Sequence, residues 1–255
     1  MEFFDTHAHY NDEKFEEDRD ELINKIYNSG VTKMVCVGYD LEKSKKAIEI
    51  AEKYKFMYAA CGISPNDITD YSEKNLNEIE LLAKNPKVVA IGEIGLDYYW
   101  NKENKNLQKE LFIKQIEIAN RVNKPIVIHN RDAFVDTIAI LKEHPVIKKG
   151  IFHCCQLNQE LIKEGLRLGF YISFSGNITF KNAKPEVPVS LVPDDRLLIE
   201  TDSPYLTPEP FRGTRNDSSK VKFVAEKISK IKNLSLEEIS KKTYQNAERV
   251  YEIKD

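Results

Sequence analysis

Short apolar runs rich in β-branched residues alternate with longer amphipathic stretches along the chain, the pattern of strand–helix units that close a parallel sheet. Eight runs predict strands: one near Phe3-Phe4, then Met34–Val37, Met57–Ala60, Val88–Ile91, Ile126–Ile128, Gly150–Phe152, Phe170–Ser173 and Leu197–Ile199. Several lack polar alternation, as expected of strands covered on both faces. Between them, Leu107, Leu111, Ile116, Ala119 and Val122 share one helical face, in a segment that Asn104 or Asn106 can cap and that ends before Pro125. From Ser218 to Tyr251 the pattern predicts two helices parted at Asn233-Leu234-Ser235, with Ser235 and Glu238 as a capping box. No Pro-, Gly- or Ser-rich linker breaks the 255 residues, so the expected architecture is one α/β domain, residues 1–255, folded as a (β/α)8 TIM barrel.

A barrel of this kind builds its site where strands end. The polar residues there are concentrated: Asp5-Thr6-His7-Ala8-His9 after the first run, Gly92-Glu93 after the fourth, His129 after the fifth, His153 within the sixth, and Glu200-Thr201-Asp202 after the eighth. Four of the five histidines fall at these positions; His144 follows a helix and is expected to be plain surface. His7 and His9, two apart on a strand, face the same side and can reach one ion. Bringing so many ionisable groups to one rim costs several kcal/mol without compensation, and divalent cations compensate. His7, His9, His129, His153, Glu93 and Asp202 are too many for one tetrahedral ion. Two ions about 3.5–4 Å apart sharing a carboxylate would use them all, and such pairs favour in-line displacement at phosphorus. The residues thus predict a binuclear hydrolase.

Composition narrows the partners. Lys plus Arg total 38 against 41 Asp plus Glu, a net charge of −3, so any nucleic-acid binding must be local. The N-terminus lacks the basic and apolar regions of a signal peptide, and no window approaches the ~18 apolar residues of a spanning helix, so a cytoplasmic protein is expected. Nothing on the barrel exterior reads as a sticky stripe, and a monomer is the default. Cys36, Cys61, Cys154 and Cys155 have no metal spacing and are expected to be buried, reduced thiols.

Several segments together carry a resemblance: Phe4-Asp5-Thr6-His7-Ala8-His9, Gly92-Glu93-Ile94-Gly95-Leu96-Asp97-Tyr98-Tyr99, Ile128-His129 with Arg131, Phe152-His153-Cys154, and Glu200-Thr201-Asp202-Ser203-Pro204-Tyr205-Leu206. In this order they resemble the TatD family of metal-dependent deoxyribonucleases, in the amidohydrolase superfamily. The resemblance implies that His7, His9, Glu93 and Asp202 hold one ion, and that Glu93 bridges to a second completed by His129 and His153. It further implies magnesium, manganese or zinc as the ions, and DNA hydrolysis, often exonucleolytic. Asp202 is the candidate proton acceptor beside Glu93, with a pure ligand role as the alternative. Asp97 and Glu200 are expected to orient ligands from behind. Arg131, Arg212 and Arg215 are candidates to contact substrate phosphates, Arg131 foremost. Tyr98, Tyr99 and Trp100 follow on a loop where aromatics can stack on unpaired bases, although core packing accounts for at least one of them equally well.

Two departures stand out. Cys155-Gln156-Leu157 occupies the place of the family's usual Phe-Ser-Gly after His153, which puts substrate contacts there in doubt, and Ser218 stands where Pro is usual. The expected substrate is DNA, short or single-stranded, bound in a salt-sensitive way. The rival readings are an amidohydrolase acting on an ester, lactone, amide or aminoacyl ester, and a metal-binding protein with weakened catalysis. Glu93 stands where the superfamily's other binuclear branch carries a modified Lys, which favours the phosphodiesterase reading.

Overall fold

In the computed structural model, residues 1–254 are described, Asp70 by its backbone alone. Eight parallel strands, β1 (Phe3–Ala8), β2 (Val31–Val37), β3 (Met57–Cys61), β4 (Val88–Asp97), β5 (Ile126–Arg131), β6 (Gly150–Phe152), β7 (Tyr171–Phe174) and β8 (Leu197–Ile199), pair in sequence order in one sheet. The helices between them are α1 (Arg19–Asn28), α2 (Leu41–Lys53), α3 (Glu73–Leu82), α4 (Lys105–Arg121), α5 (Phe134–Glu143), α6 (Gln159–Arg167) and α7 (Glu186–Leu191), and after β8 come α8 (Val221–Lys232) and α9 (Leu236–Tyr251). This is the expected TIM barrel, and every predicted strand is present. Among the described residues no helix is long and apolar enough to cross a membrane.

Neighbouring residues on a strand face opposite sides, and the core divides accordingly. Phe4, Val35, Val37, Ala60, Val127, Ile151 and Leu198 form an inner cluster, capped by Ala247, Val250 and Tyr251 of α9. Phe3, Met34, Cys36, Ile126, Phe152 and Leu197 of the same strands pack in the larger cluster with the surrounding helices. Both faces are therefore buried, which is why the strands read as unbroken apolar runs.

The two C-terminal helices part at Asn233, whose left-handed backbone (φ 53°) ends α8, and Ser235 with Glu238 forms the predicted capping box on α9. Asn104 occupies the residue before α4, as expected, but makes no side-chain cap. His144 is half-buried at the C-terminal end of α5, away from the strand ends, rather than plain surface.

The β1–β8 seam is joined beyond the end of β8. Asp202 N–H donates to His7 O (2.9 Å) and His9 N–H to Ser203 O (2.7 Å), so the backbone that completes the ring also carries candidate site residues.

Candidate metal centre

Two strands deliver their polar residues through irregular pairing. From Asp5 to Ala8, β1 spends three steps against two of β2 (Met34 to Cys36), and from Ile91 to Ile94, β4 spends three against two of β5 (Ile126 to Ile128). Such bulges re-aim side chains. His7 lies in the first and Glu93 in the second. β4 also runs six residues past its predicted end at Ile91, so Glu93 lies within the strand rather than after it. Next to it, Gly95 (φ 139°) lets β4 approach β5 where a Cβ would sit 2.0 Å from His129 O, a contact no other residue tolerates.

Six of the predicted residues converge in two groups of donor atoms, five of them lining one cavity and His7 buried beside it. In the first, His7 Nε2 and His9 Nε2 are 3.1 Å apart. They lie 3.5 and 3.7 Å from Glu93 Oε2, and 3.6 and 3.3 Å from Asp202 Oδ1. In the second, Glu93 Oε1 is 2.8 Å from His129 Nδ1 and 3.1 Å from His153 Nε2, and these two nitrogens are 3.4 Å apart. The two oxygens of Glu93 thus face different groups.

The outer ring nitrogens are anchored. His9 Nδ1 meets Val37 O at 2.9 Å, His129 Nε2 meets Asp97 Oδ2 at 2.9 Å, and His153 Nδ1 meets Glu200 Oε1 at 3.3 Å. Each faces an acceptor, so each carries a proton, and the inner nitrogen is free to offer a lone pair. His7 has no such anchor: its Nδ1 is buried without a partner, and its ring stacks on that of His153 with centroids 4.0 Å apart.

The donor set fits divalent cations. The carboxylate spacings of 3.3–3.7 Å in the first group exceed the ~2.7–2.9 Å of a charge-assisted hydrogen bond. Ligands about 2.1 Å from a tetrahedral ion lie about 3.4 Å from one another. Electrostatics agree. Burial alone would raise Glu93, but His153, His129 and His7 hold it well below the ordinary carboxylate range. Burial would also raise Asp202, yet His9, His7 and His153 keep it low. Burial likewise opposes charge on His9, His129 and His153, and the facing carboxylates raise all three. A divalent cation between these groups would neutralise the carboxylates and leave the inner nitrogens their lone pairs.

The cavity measures about 620 Å³, and Arg131, Trp100, Gln156, Asn66, Asn177 and Tyr205 line it beside the donors. Of the three candidate arginines only Arg131 reaches it. Arg212 donates to Thr207 O (2.9 Å) and lies over the Phe180 ring, while Arg215 makes a two-pronged pair with Asp18 (2.9 and 2.5 Å). Tyr98 is half-buried and bonded to Asp136. The four cysteines are free thiols, three buried, with Cys154 half-buried in the cavity wall. In the departing segment, Gln156 lines the cavity.

Sequence reasoning assigned no role to Asp5, which is fully buried and accepts from Thr201 N (2.9 Å), Thr201 Oγ1 (2.5 Å) and Ser218 Oγ (2.5 Å), tying β1 to the segment that carries Asp202. A carboxylate two places before His7 in an apolar run was the available signal. Asn66, which donates to Asp97 Oδ2 (3.3 Å), gave none.

Comparison with known proteins agrees with this geometry. The family model for TatD related DNase matches residues 4–252. An uncharacterized metal-dependent hydrolase of Bacillus subtilis strain 168, YabD, is 48% identical over 98% of this chain and 99% of its own length. YcfH of Escherichia coli K12, also named an uncharacterized metal-dependent hydrolase, is 37% identical over 99% of this chain and 97% of its own. The crystal structure of YjjV, a TatD homologue from Escherichia coli K12, superposes with a TM-score of 0.94 at 26% identity, covering 99% of this chain and 98% of that one. The chain belongs to the TatD family and is a metal-dependent hydrolase.

Proposed function

We propose that the protein hydrolyses phosphodiester bonds in DNA at a pair of divalent ions, magnesium, manganese or zinc. His7, His9, Glu93 and Asp202 would hold one, and Glu93, His129 and His153 the other. The observation that carries this reading is Glu93, whose two oxygens face two separate sets of imidazoles. Ions bound there supply charge neutralisation at the phosphate and a lowered pKa for water.

The chain's own residues do the rest. Asp202, kept ionised by the histidines around it, accepts the proton of the attacking water. Its left-handed backbone (φ 56°) turns the chain so that its N–H bonds β1 while its carboxylate faces His9. Asp97 and Glu200 hold the rings of His129 and His153 in the ligating tautomer. Arg131 lines the cavity and pairs with no acidic side chain among the described residues, which leaves its guanidinium to take phosphate oxygens. A cavity of 620 Å³ lies in the range of sites that enclose drug-sized ligands, about 300–1,000 Å³, and suits a strand end better than a duplex.

The test is turnover of labelled single-stranded DNA by protein stripped with chelator and reloaded separately with magnesium, manganese and zinc, beside Glu93→Ala. Metal-dependent nucleotide release that the variant lacks is the expected result. Absence of cleavage with every metal, despite bound ions, would redirect the reading to a carboxylic ester or amide.

A further inference from the structure

The one tryptophan of the chain stands in solvent at the edge of the metal cavity. Trp100 is 66% exposed and Tyr99 45%. A single exposed aromatic is ordinary, but two adjacent ones at the edge of the cavity that holds the donor set form a local contact surface. We propose that Trp100 is a stacking shelf for the base of a single-stranded nucleotide end, a subsite that rests on the phosphodiesterase reading and names how its substrate is held.

The shelf is built rather than trailing. The N–H groups of Tyr99 and Trp100 both donate to Asp97 Oδ1 (2.9 and 2.8 Å). Gln108 clamps the same turn, its Nε2 donating to Asp97 O (3.0 Å) and Asn101 O (2.8 Å), and Asn101 is tied to Pro65 O (3.2 Å). A fixed backbone spares the binding step part of its ordering cost. The other oxygen of Asp97 holds His129, so one carboxylate mounts both the shelf and a donor of the metal centre. Tyr99 meets Trp100 edge to face (centroids 4.9 Å, 90°), and the Arg131 guanidinium lies 3.9 Å from the Tyr99 ring centroid and 5.4 Å from that of Trp100. A cation suited to phosphate and a largely exposed indole therefore stand side by side on the cavity wall that also holds Glu93 and His153.

The chemistry of the wall selects the occupant. An indole face stacks on any base without reading its identity, and Arg131 beside it suits the adjoining phosphate. A base inside a duplex must first be unstacked to reach such a face, which costs least at a single-stranded end.

The experiment uses zinc-loaded protein, because zinc accepts a sulfur ligand where magnesium does not, and two four-nucleotide strands with slowly hydrolysed phosphorothioate links, one of thymidine and one of abasic residues, each with a fluorescent label at one end. Label anisotropy reads binding, and emission excited at the red edge of the absorption band, where tyrosine does not absorb, reads Trp100 alone because the chain has one tryptophan. The thymidine strand is expected to bind on the order of tenfold tighter than the abasic one and to quench the emission, with Trp100→Ala erasing that difference. Saturating anisotropy without quenching, or a difference that survives Trp100→Ala, overturns the shelf while leaving the nuclease reading standing. If neither strand binds, the nuclease reading falls and takes the shelf with it.

Discussion

Of the two donor groups that meet at Glu93, one leans on backbone and the other on anions. On the β1 side, His9 is anchored by the Val37 carbonyl and His7 by nothing, while the seam hydrogen bonds fix where both can be. On the β5–β6 side, His129 and His153 are anchored by the carboxylates of Asp97 and Glu200. An imidazole backed by a carboxylate is the stronger donor, and its support is a single replaceable side chain. The first half is therefore set by the course of the chain and the second by side-chain chemistry, so on the two-ion reading substitution behind the ligands should separate the ions.

Glu93 belongs to both halves, and Glu93→Ala should have the largest effect: both ions absent from the purified protein by elemental analysis, and turnover down on the order of a thousandfold or more. One ion retained at full occupancy would show that the halves do not share it. Asp97→Ala should weaken the ion of the second half about 10- to 100-fold while sparing the first, as resolved by a competitive dye titration. Equal weakening of both would erase the distinction. Glu200→Gln keeps an acceptor for Cys154 N–H, now 2.7 Å away, and for His153, but loses the charge, so a smaller loss, about tenfold or less, is expected in the same titration. Away from both halves, on the nuclease reading, Arg131→Ala should raise KM for DNA severalfold, whereas Arg215→Ala, which breaks an exposed pair with Asp18, should leave KM alone and change stability by about 1 kcal/mol or less in a denaturant melt. The mildest lever is pH. His9, His129 and His153 are raised in the metal-free chain, so ion uptake should release protons and weaken as pH falls, more on the side with two raised rings; calorimetry in buffers of different ionisation heat reads the protons directly.

What the sequence could and could not disclose follows the range of the interactions involved. Strands buried on both faces announce themselves as apolar runs, and the residues just beyond them inherit the rim, so His7, His9, His129, His153 and Asp202 were legible one by one. Glu93 was legible as a carboxylate of the rim but not as a residue inside β4, because the bulge that turns it depends on pairing with β5. Arg212 and Arg215 read as phosphate contacts by side-chain type alone, yet Arg215 is claimed by Asp18 and Arg212 by Thr207 and Phe180. Asp5 meets Thr201 and Ser218 across nearly the whole chain, and no local pattern encodes that.

The seam between β1 and the segment after β8 has a further meaning for the life of the molecule. His7 and Asp202 are neighbours only when the first strand and the last have both been made and brought together, a closure across most of the sequence that is entropically among the slowest to form. A ligand held by His7, His9 and Asp202 would act as a clasp on that closure, binding the finished ring and not the open chain, and would favour the folded state by mass action. Completion of the fold and assembly of this donor set then become one event, and a nascent or truncated chain lacks the full set.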